Sequence, residues 1–372
     1  MKNISVLAFL SLNAFSIFAE DVNNPAPNPN QKHIINTINA LSGNAPLQDA
    51  DFAFFLSAPN GLTENNWATD LDNSFLMGYQ EAIQEEVFQL NEANIDQILG
   101  KRSDGMHSFG FGVYDQIKQN PYSYHNGFRA INESGFVGIT KDSARSVLLA
   151  AAGYGYTSVQ YTNSQSRSNS NNFMADFACS VRGGRYQLVL DVLFLNNIIN
   201  QKRYIQIFDV TAHGTHLDVG TKAEGYWQIT WNMDKTEFAL FERLGYLFLW
   251  ETAYTESGAG GLNYQVGSTK FNMLRNQVGI QLKYNYNKNY SFDARGSWVH
   301  EQRYGNKSYQ SKFIGTQNII ITNGYMPTRE LIEGDFRMKF NYNSWDASLV
   351  YTVLWGQKYL ENTGRLQIGY KL

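Results

Sequence analysis

The sequence predicts an all-β fold: a transmembrane, antiparallel, up-and-down β-barrel of about twelve strands, preceded by a short helix that occupies the lumen. Three observations carry that prediction. Apolar and polar residues alternate with period two from His107 to Leu372. The connections between alternating segments sort by parity: short after even-numbered segments, and in several cases long and polar after odd-numbered ones. Aromatic residues make up 15% of the chain, as 24 Phe, 23 Tyr and 7 Trp. That share suits two membrane–water interfaces, where an amphipathic ring keeps its polar tip wet. An aromatic-rich β-sandwich shares the composition and the alternation, but it has no reason to sort its loops by parity.

The first element, residues 1–19, reads as a secretory signal. Lys2 supplies a positive end, residues 4–18 an apolar stretch, and Ile17, Phe18 and Ala19 a small-residue cleavage site. Beyond it no run approaches the ~18 apolar residues of a spanning helix. A membrane location therefore requires a closed barrel. Residues 20–77 read as a linker and a short helical or irregular region, with Pro25, Pro27 and Pro29 extending its start.

Residues 78–105 hold the helix. Tyr79, Ile83, Val87, Leu90 and Ile98 recur at helical spacing, and Gly100, followed by Lys101 and Arg102, is a plausible terminator. Glu81, Glu85, Glu86, Glu92 and Asp96 make the helix acidic. A helix is ~10–12 Å across with side chains, and a barrel of this size lies between side-chain-filled and open-channel barrels. The helix is therefore expected inside the lumen, its acids facing lumenal arginines and lysines. A periplasmic or surface helix with a solvated acidic face is the alternative.

Residues 106–372 form the barrel. Leu274, Val278, Ile280, Leu282, Tyr284 and Tyr286 share one face of a strand, opposite Arg275, Gln277, Gln281, Lys283 and Asn285. Residues 290–298, 335–342 and 365–372 repeat the pattern. Short connections are expected at Gly183 and Gly184, Lys288 and Asn289, and Asn343 and Ser344; long ones at 163–172, 257–272 and 304–330. With the apolar face toward lipid, the lumen-lining candidates are Arg243, Glu251, Arg275, Lys283, Arg295, Glu301, Asp335, Arg337 and Lys339. Arg182, Arg185, Lys222, Asp176, Asp191, Asp218 and Glu224 share that face. The mixed signs predict ion pairs across a narrow wet interior rather than a charge-selective pore.

Little points to chemistry. Cys179 is the single cysteine, placed on an apolar face between Phe177 and Val181, and reads as structural. His213 and His216 are three apart, which on a strand sends them to opposite faces and makes a poor metal pair. His300 shares a face with Trp298 and reads as a ring at the barrel rim. No Ser and His are forced together by the alternation. There is no phosphate-binding Gly loop and no basic arm. No catalytic centre, cofactor, metal site or nucleic-acid partner is therefore expected.

Four stretches together resemble the translocator domain of autotransporters. Residues 148–155 (LAAAGYGY) are similar to its small-residue third strand, and residues 254–261 (YTESGAGG) to its loop after the seventh. Residues 297–301 (SWVHE) are similar to its Trp-x-His-Glu strand; Asn30 and Gln31, before the Ile34, Ile38 and Leu41 stripe, are similar to its pre-barrel opening. The resemblance implies a twelve-stranded barrel threaded by a helix, and export of an N-terminal passenger. It also implies periplasmic chaperones and the barrel-assembly machinery as partners, and a monomer set in the lipid and lipopolysaccharide of a Gram-negative-type outer membrane. Some members cleave their own helix, and here Glu301 and Asp335 with Asn91 or Asn94 would be the groups involved, although no paired-asparagine junction is present. Two features depart from the family. The chain ends on Tyr370, Lys371 and Leu372 rather than on an aromatic, and only about sixty residues without β-helix repeats lie between signal and helix. The expected function is a translocator with a very short or lost passenger. A porin-like channel and a surface-loop adhesin are the alternatives.

Overall fold

A computed structural model describes residues 76–100, 104–121, 127–162, 164–205, 209–305, 308–314, 319–323 and 329–372. The expected signal, the linker and the similarity at Asn30 and Gln31 lie outside the described residues. The first described element is a helix, α1 (Leu76–Leu99), starting two residues before the sequence-based boundary. Gly100 ends it with an N–H to the Asp96 carbonyl at 3.2 Å.

Seven long strands follow: β1 (Gly105–Gln119), β2 (Phe128–Asp142), β3 (Ser146–Tyr161), β4 (Arg167–Gly183), β5 (Tyr186–Ile205), β6 (Val210–Met233) and β7 (Thr236–Glu251). Two short ones, β8 (Tyr254–Thr255) and β9 (Tyr264–Val266), precede β10 (Thr269–Asn285) and β11 (Tyr290–Gly305). Then come β12 (Ser308–Phe313), β13 (Ile320–Asn323), β14 (Arg329–Tyr342), β15 (Trp345–Gly356) and β16 (Tyr359–Lys371). The twelve long strands close into one antiparallel barrel, with β16 pairing back onto β1 through Ser108 and Tyr370. Closure leaves no unpaired strand edge, the condition for placing a sheet in lipid.

Alternation decides the faces. On β15, Ser348, Val350, Thr352 and Leu354 are buried toward the lumen, whereas Leu349, Tyr351 and Trp355 are exposed outside. Trp345 and Trp355 bracket that outer strip. Ten residues at ~3.4 Å, tilted by about 40°, span roughly 26 Å, the height of an apolar band between aromatic girdles. Cys179 also lies on the outer face, half-buried and unpaired as a thiol.

Five connections at one end of the barrel are short: 143–145, 184–185, 234–235, 286–289 and 343–344. Asp234 and Asn343 adopt left-handed φ of 52° in their two-residue turns, a conformation their short polar side chains tolerate. The first of the expected turns falls on Gly184 and Arg185, one residue late. The opposite, loop end differs from the expected long polar connections in three places. Residues 167–172 are strand, not loop: Ser168, Ser170 and Asn172 are buried toward the lumen on a β4 that outgrows the membrane. Polar residues on both faces look like a loop, but above lipid both faces of a paired strand are wet. The connections at 257–272 and 304–330 are partly folded: β9, β12 and β13 within them join β8, just before the first, in a separate four-stranded sheet. The connection between β15 and β16 is only two residues, 357–358.

The small residues of β3 have a packing reason. A Cβ on Gly153 would lie 2.1 Å from the Phe136 ring of β2, which itself stacks on Phe111 at 5.4 Å. Gly153→Val is expected to cost about 1–3 kcal/mol by forcing that ring out of its slot. Urea unfolding of the refolded barrel measures it, and Gly153→Val with Phe136→Ala should recover part of the loss. No recovery would mean the ring is not the obstacle.

Candidate functional site

The lumen is filled by α1. Every residue from Tyr79 to Ile98 is buried, polar ones included, although the helix carries five carboxylates and no base. Burial of so polar a helix is tolerable only where each group meets a partner. The barrel wall supplies partners in layers, with Gln84 the exception: its buried amide has no hydrogen-bond partner among the described residues.

At the loop end, Glu81 receives Arg303 at 2.7 Å and Arg329 at 2.5 Å. Tyr79 donates to Asp218, and Gln80 donates to Glu251 at 2.8 Å. Midway, Glu85 pairs with Arg275 at 2.8 Å. Phe88 lies between Lys222 and Arg275, 4.6 and 4.7 Å from the ring centre, so its apolar ring still meets two cations face-on. Among the described residues Glu86 meets no cation; it accepts from Thr157 at 2.8 Å and from Asn172. Its carboxylate approaches β3 where Gly155 has no side chain: a Cβ there would lie 2.0 Å from Oε1. Toward the turn end, Glu92 pairs with Arg243 at 3.3 Å and Arg295 at 3.2 Å. Asp96 gathers Arg295 at 2.6 Å, Arg365 at 2.5 Å and Arg337. Arg182 donates to the carbonyls of Ile98 at 2.5 Å and Gly100 at 3.1 Å, a cation on the negative end of the helix.

The helix thus lies with its first turn at the loop end and its last turn at the turn end. Beyond that last turn a cavity of about 760 Å³ opens, lined by Asp96, Arg182, Glu237, Lys283, Arg337 and Lys339 among others. The loop end carries the four-stranded sheet. There the sheet is fastened by a buried Arg203, which donates to Glu256 at 2.5 Å and lies 4.2 Å over the Tyr264 ring. Tyr254 stacks on His216 at 4.5 Å, directly above Tyr79. The 254–261 stretch supplies Tyr254 and Glu256, and its Gly258 takes a φ of 99°.

Of the sequence-derived lumenal residues, Arg243, Arg275, Arg295 and Arg337 all meet helix carboxylates. Glu251 binds Gln80, whereas Glu301 faces Arg275 at 3.5 Å and Arg303 at 3.8 Å on the wall. Lys283 pairs with Glu237 at 3.3 Å rather than with the helix. Lys339 lies by Gly100 at the helix end. Asp335 is buried beside Glu92 and Glu333. Arg303, Arg329, Arg365 and Glu361 were not among the candidates, although all are buried against the helix or its partners. Extending the same alternation to both ends of β11, β14 and β16 would have found them. Asn91 is held by Asp191 and Lys222, and Asn94 by Asp176. His300 is at the rim, 5.7 Å from Trp298 and 2.7 Å from Glu330.

Among solved structures, the chain is similar to the translocator domain of the autotransporter NalP from Neisseria meningitidis. The TM-score is 0.68 at 13% identity, over 79% of this chain and 98% of that one. It is also similar to the β domain of the Bordetella autotransporter BrkA, with a TM-score of 0.53 at 8% identity over 72% of this chain and 100% of that one. At such identities the likeness concerns the fold. No curated protein matches the sequence significantly. The sequence does match the family described as Autotransporter beta-domain, over residues 108–352. With well over half of the chain in that match and a closed twelve-stranded barrel around its helix, the protein belongs to the autotransporter β-domain family, the translocator barrels of the Gram-negative outer membrane.

Proposed function

We propose that the barrel carries the segment preceding Leu76 to the cell surface, and that α1 then remains as the plug. The observation behind this reading is the polarity of the helix. Its N-terminal turn meets Asp218 and Glu251 at the loop end, while its C-terminal carbonyls are held by Arg182 at the turn end. A chain so placed leads outward from its first turn. The filled lumen favours a translocator at rest over an open porin-like channel.

In this proposal residues 1–19 direct export to the periplasm, chaperones and the barrel-assembly machinery insert the strands, and lipid and lipopolysaccharide surround a single chain. No chemical step is included: Glu301 faces Arg275 and Arg303, Asp191 and Asp176 accept from the Asn91 and Asn94 amides, and the exported segment stays attached. An epitope inserted between Asn30 and Gln31 tests the reading. It should bind antibody on intact cells and be removed by external protease. A tag reached only after the outer membrane is opened would overturn the proposal.

A further inference from the structure

One cluster at the loop end of the lumen contains no arginine. His216 and Asp218 are two residues apart on β6, so both point inward, and the ladder sets Asp218 opposite Glu251 of β7. The His216 side chain is fully buried, and neither ring nitrogen has a hydrogen-bond partner among the described residues. Its Nε2 is 3.3 Å from Glu251 Oε1 and 3.9 Å from Asp218 Oδ1. One donor atom from each of the three residues falls within 4.8 Å of the others. The second oxygen of each carboxylate is taken by the helix: Tyr79 donates to Asp218 Oδ2, and Gln80 to Glu251 Oε2 at 2.8 Å. Tyr254 stacked on one side of the imidazole and Tyr79 edge-on at 5.7 Å restrict its rotation.

A buried imidazole nitrogen converging with two carboxylate oxygens is the donor set of a borderline divalent cation. Four ligands at about 2.0–2.1 Å from Zn²⁺ in a tetrahedron stand roughly 3.3 Å apart. The His216–Glu251 separation, 3.3 Å, already has that value, the His216–Asp218 separation is 3.9 Å, and the Asp218–Glu251 edge lies within 4.8 Å, so the carboxylates close in on binding. We propose that His216 Nε2, Asp218 Oδ1 and Glu251 Oε1 bind a divalent transition cation of the Zn²⁺ type, with solvent in the fourth position. Tyr79 and Gln80 then act on the far oxygens of two ligands, so that the cation ties the outer end of the plug to the wall. His213, three residues before His216, faces away; the partners lie on the same inward face and on the neighbouring strand. The site stands whether or not the N-terminal segment is exported.

The test uses the full chain, refolded in detergent, stripped with chelator and dialysed against Zn²⁺ at neutral pH. One zinc per chain is expected. His216→Ala should weaken binding at least tenfold, while His213→Ala, on the exposed face, should leave it unchanged. Unmodified protein that retains no more zinc than His216→Ala would overturn the proposal, as would binding lost on His213→Ala. Should His216→Ala fail to refold, Co²⁺ added to the unmodified chain decides. Intense visible bands of a four-coordinate site support the proposal, and the pale spectrum of hydrated Co²⁺ overturns it.

Discussion

Deleting residues 21–105 should convert a barrel of low, flickering conductance into a steady open pore in planar bilayers. The helix that is lost fills a cross-section of ~10–12 Å, and every one of its residues from Tyr79 to Ile98 is packed against the wall. Its removal also takes away Tyr79, which meets the His216 ring edge-on while Tyr254 stacks on that same ring. A second readout follows from charge. The helix contributes five carboxylates and no base. Without them Arg275, Arg295, Arg303, Arg329, Arg337 and Arg365 lose helix partners, but the wall keeps its own buried acids, among them Asp176, Asp191, Asp218, Glu301, Glu333 and Glu361, so the open pore should show at most a weak preference for anions. The reversal potential in a salt gradient measures that preference. Equal, steady conductance from intact and deleted chains would sink the plugged reading.

The largest single-residue effect is expected at Asp96. Its carboxylate is shared by Arg295, Arg337 and Arg365, whose side chains are 7%, 11% and 1% exposed. Replacing both partners of a buried ion pair can be neutral, but removing one leaves its mate charged and unpaired, at about 3–5 kcal/mol. Two of the three guanidiniums keep an alternative: Arg295 retains Glu92 at 3.2 Å and Arg337 retains Asp293 at 3.9 Å. Among the described residues Arg365 has no second carboxylate within 4 Å and retains the Gln89 carbonyl, at 3.4 Å. Asp96→Ala is therefore expected near the lower end, about 3 kcal/mol, and Asp96→Asn, which keeps one acceptor, to cost less. Urea unfolding of the two variants beside the parent chain gives the comparison. The weakened C-terminal turn should also raise conductance, because the Asp96 cluster is then lost and the end is held by weaker contacts, Arg182 on the Ile98 and Gly100 carbonyls and Gln367 on the Ala93 carbonyl among them. A variant as stable and as closed as the parent would show that the arginine cluster does not depend on Asp96.

The two predictions rest on different kinds of information. Which residues face the lumen is a local property: a strand sends alternate side chains to opposite faces, so Arg275, Arg295 and Arg337 could be assigned from their neighbours alone. The helix was legible for the same reason, from the spacing of Tyr79, Ile83, Val87 and Leu90. Local rules failed where both strand faces are wet. The Ser and Asn run at 167–172 has no alternation to show, yet its backbone pairs with β3 and β5.

The sequence by itself determined the barrel, its faces, its parity of turns and an acidic helix ahead of it, because each is written in periods of two or 3.6 residues. Only the tertiary structure decided which arginine meets which acid, since partners such as Glu81 and Arg303 are far apart in the chain and meet through helix depth and strand stagger. It also decided why β3 is built of small residues: Gly155 stands where Glu86 approaches, and Gly153 where the Phe136 ring lies. The His216, Asp218 and Glu251 cluster belongs to the same class, for it exists only in the register that sets Asp218 opposite Glu251. Period is carried by the covalent chain, whereas register is a property of closure around a plug, and no stretch of residues encodes it alone.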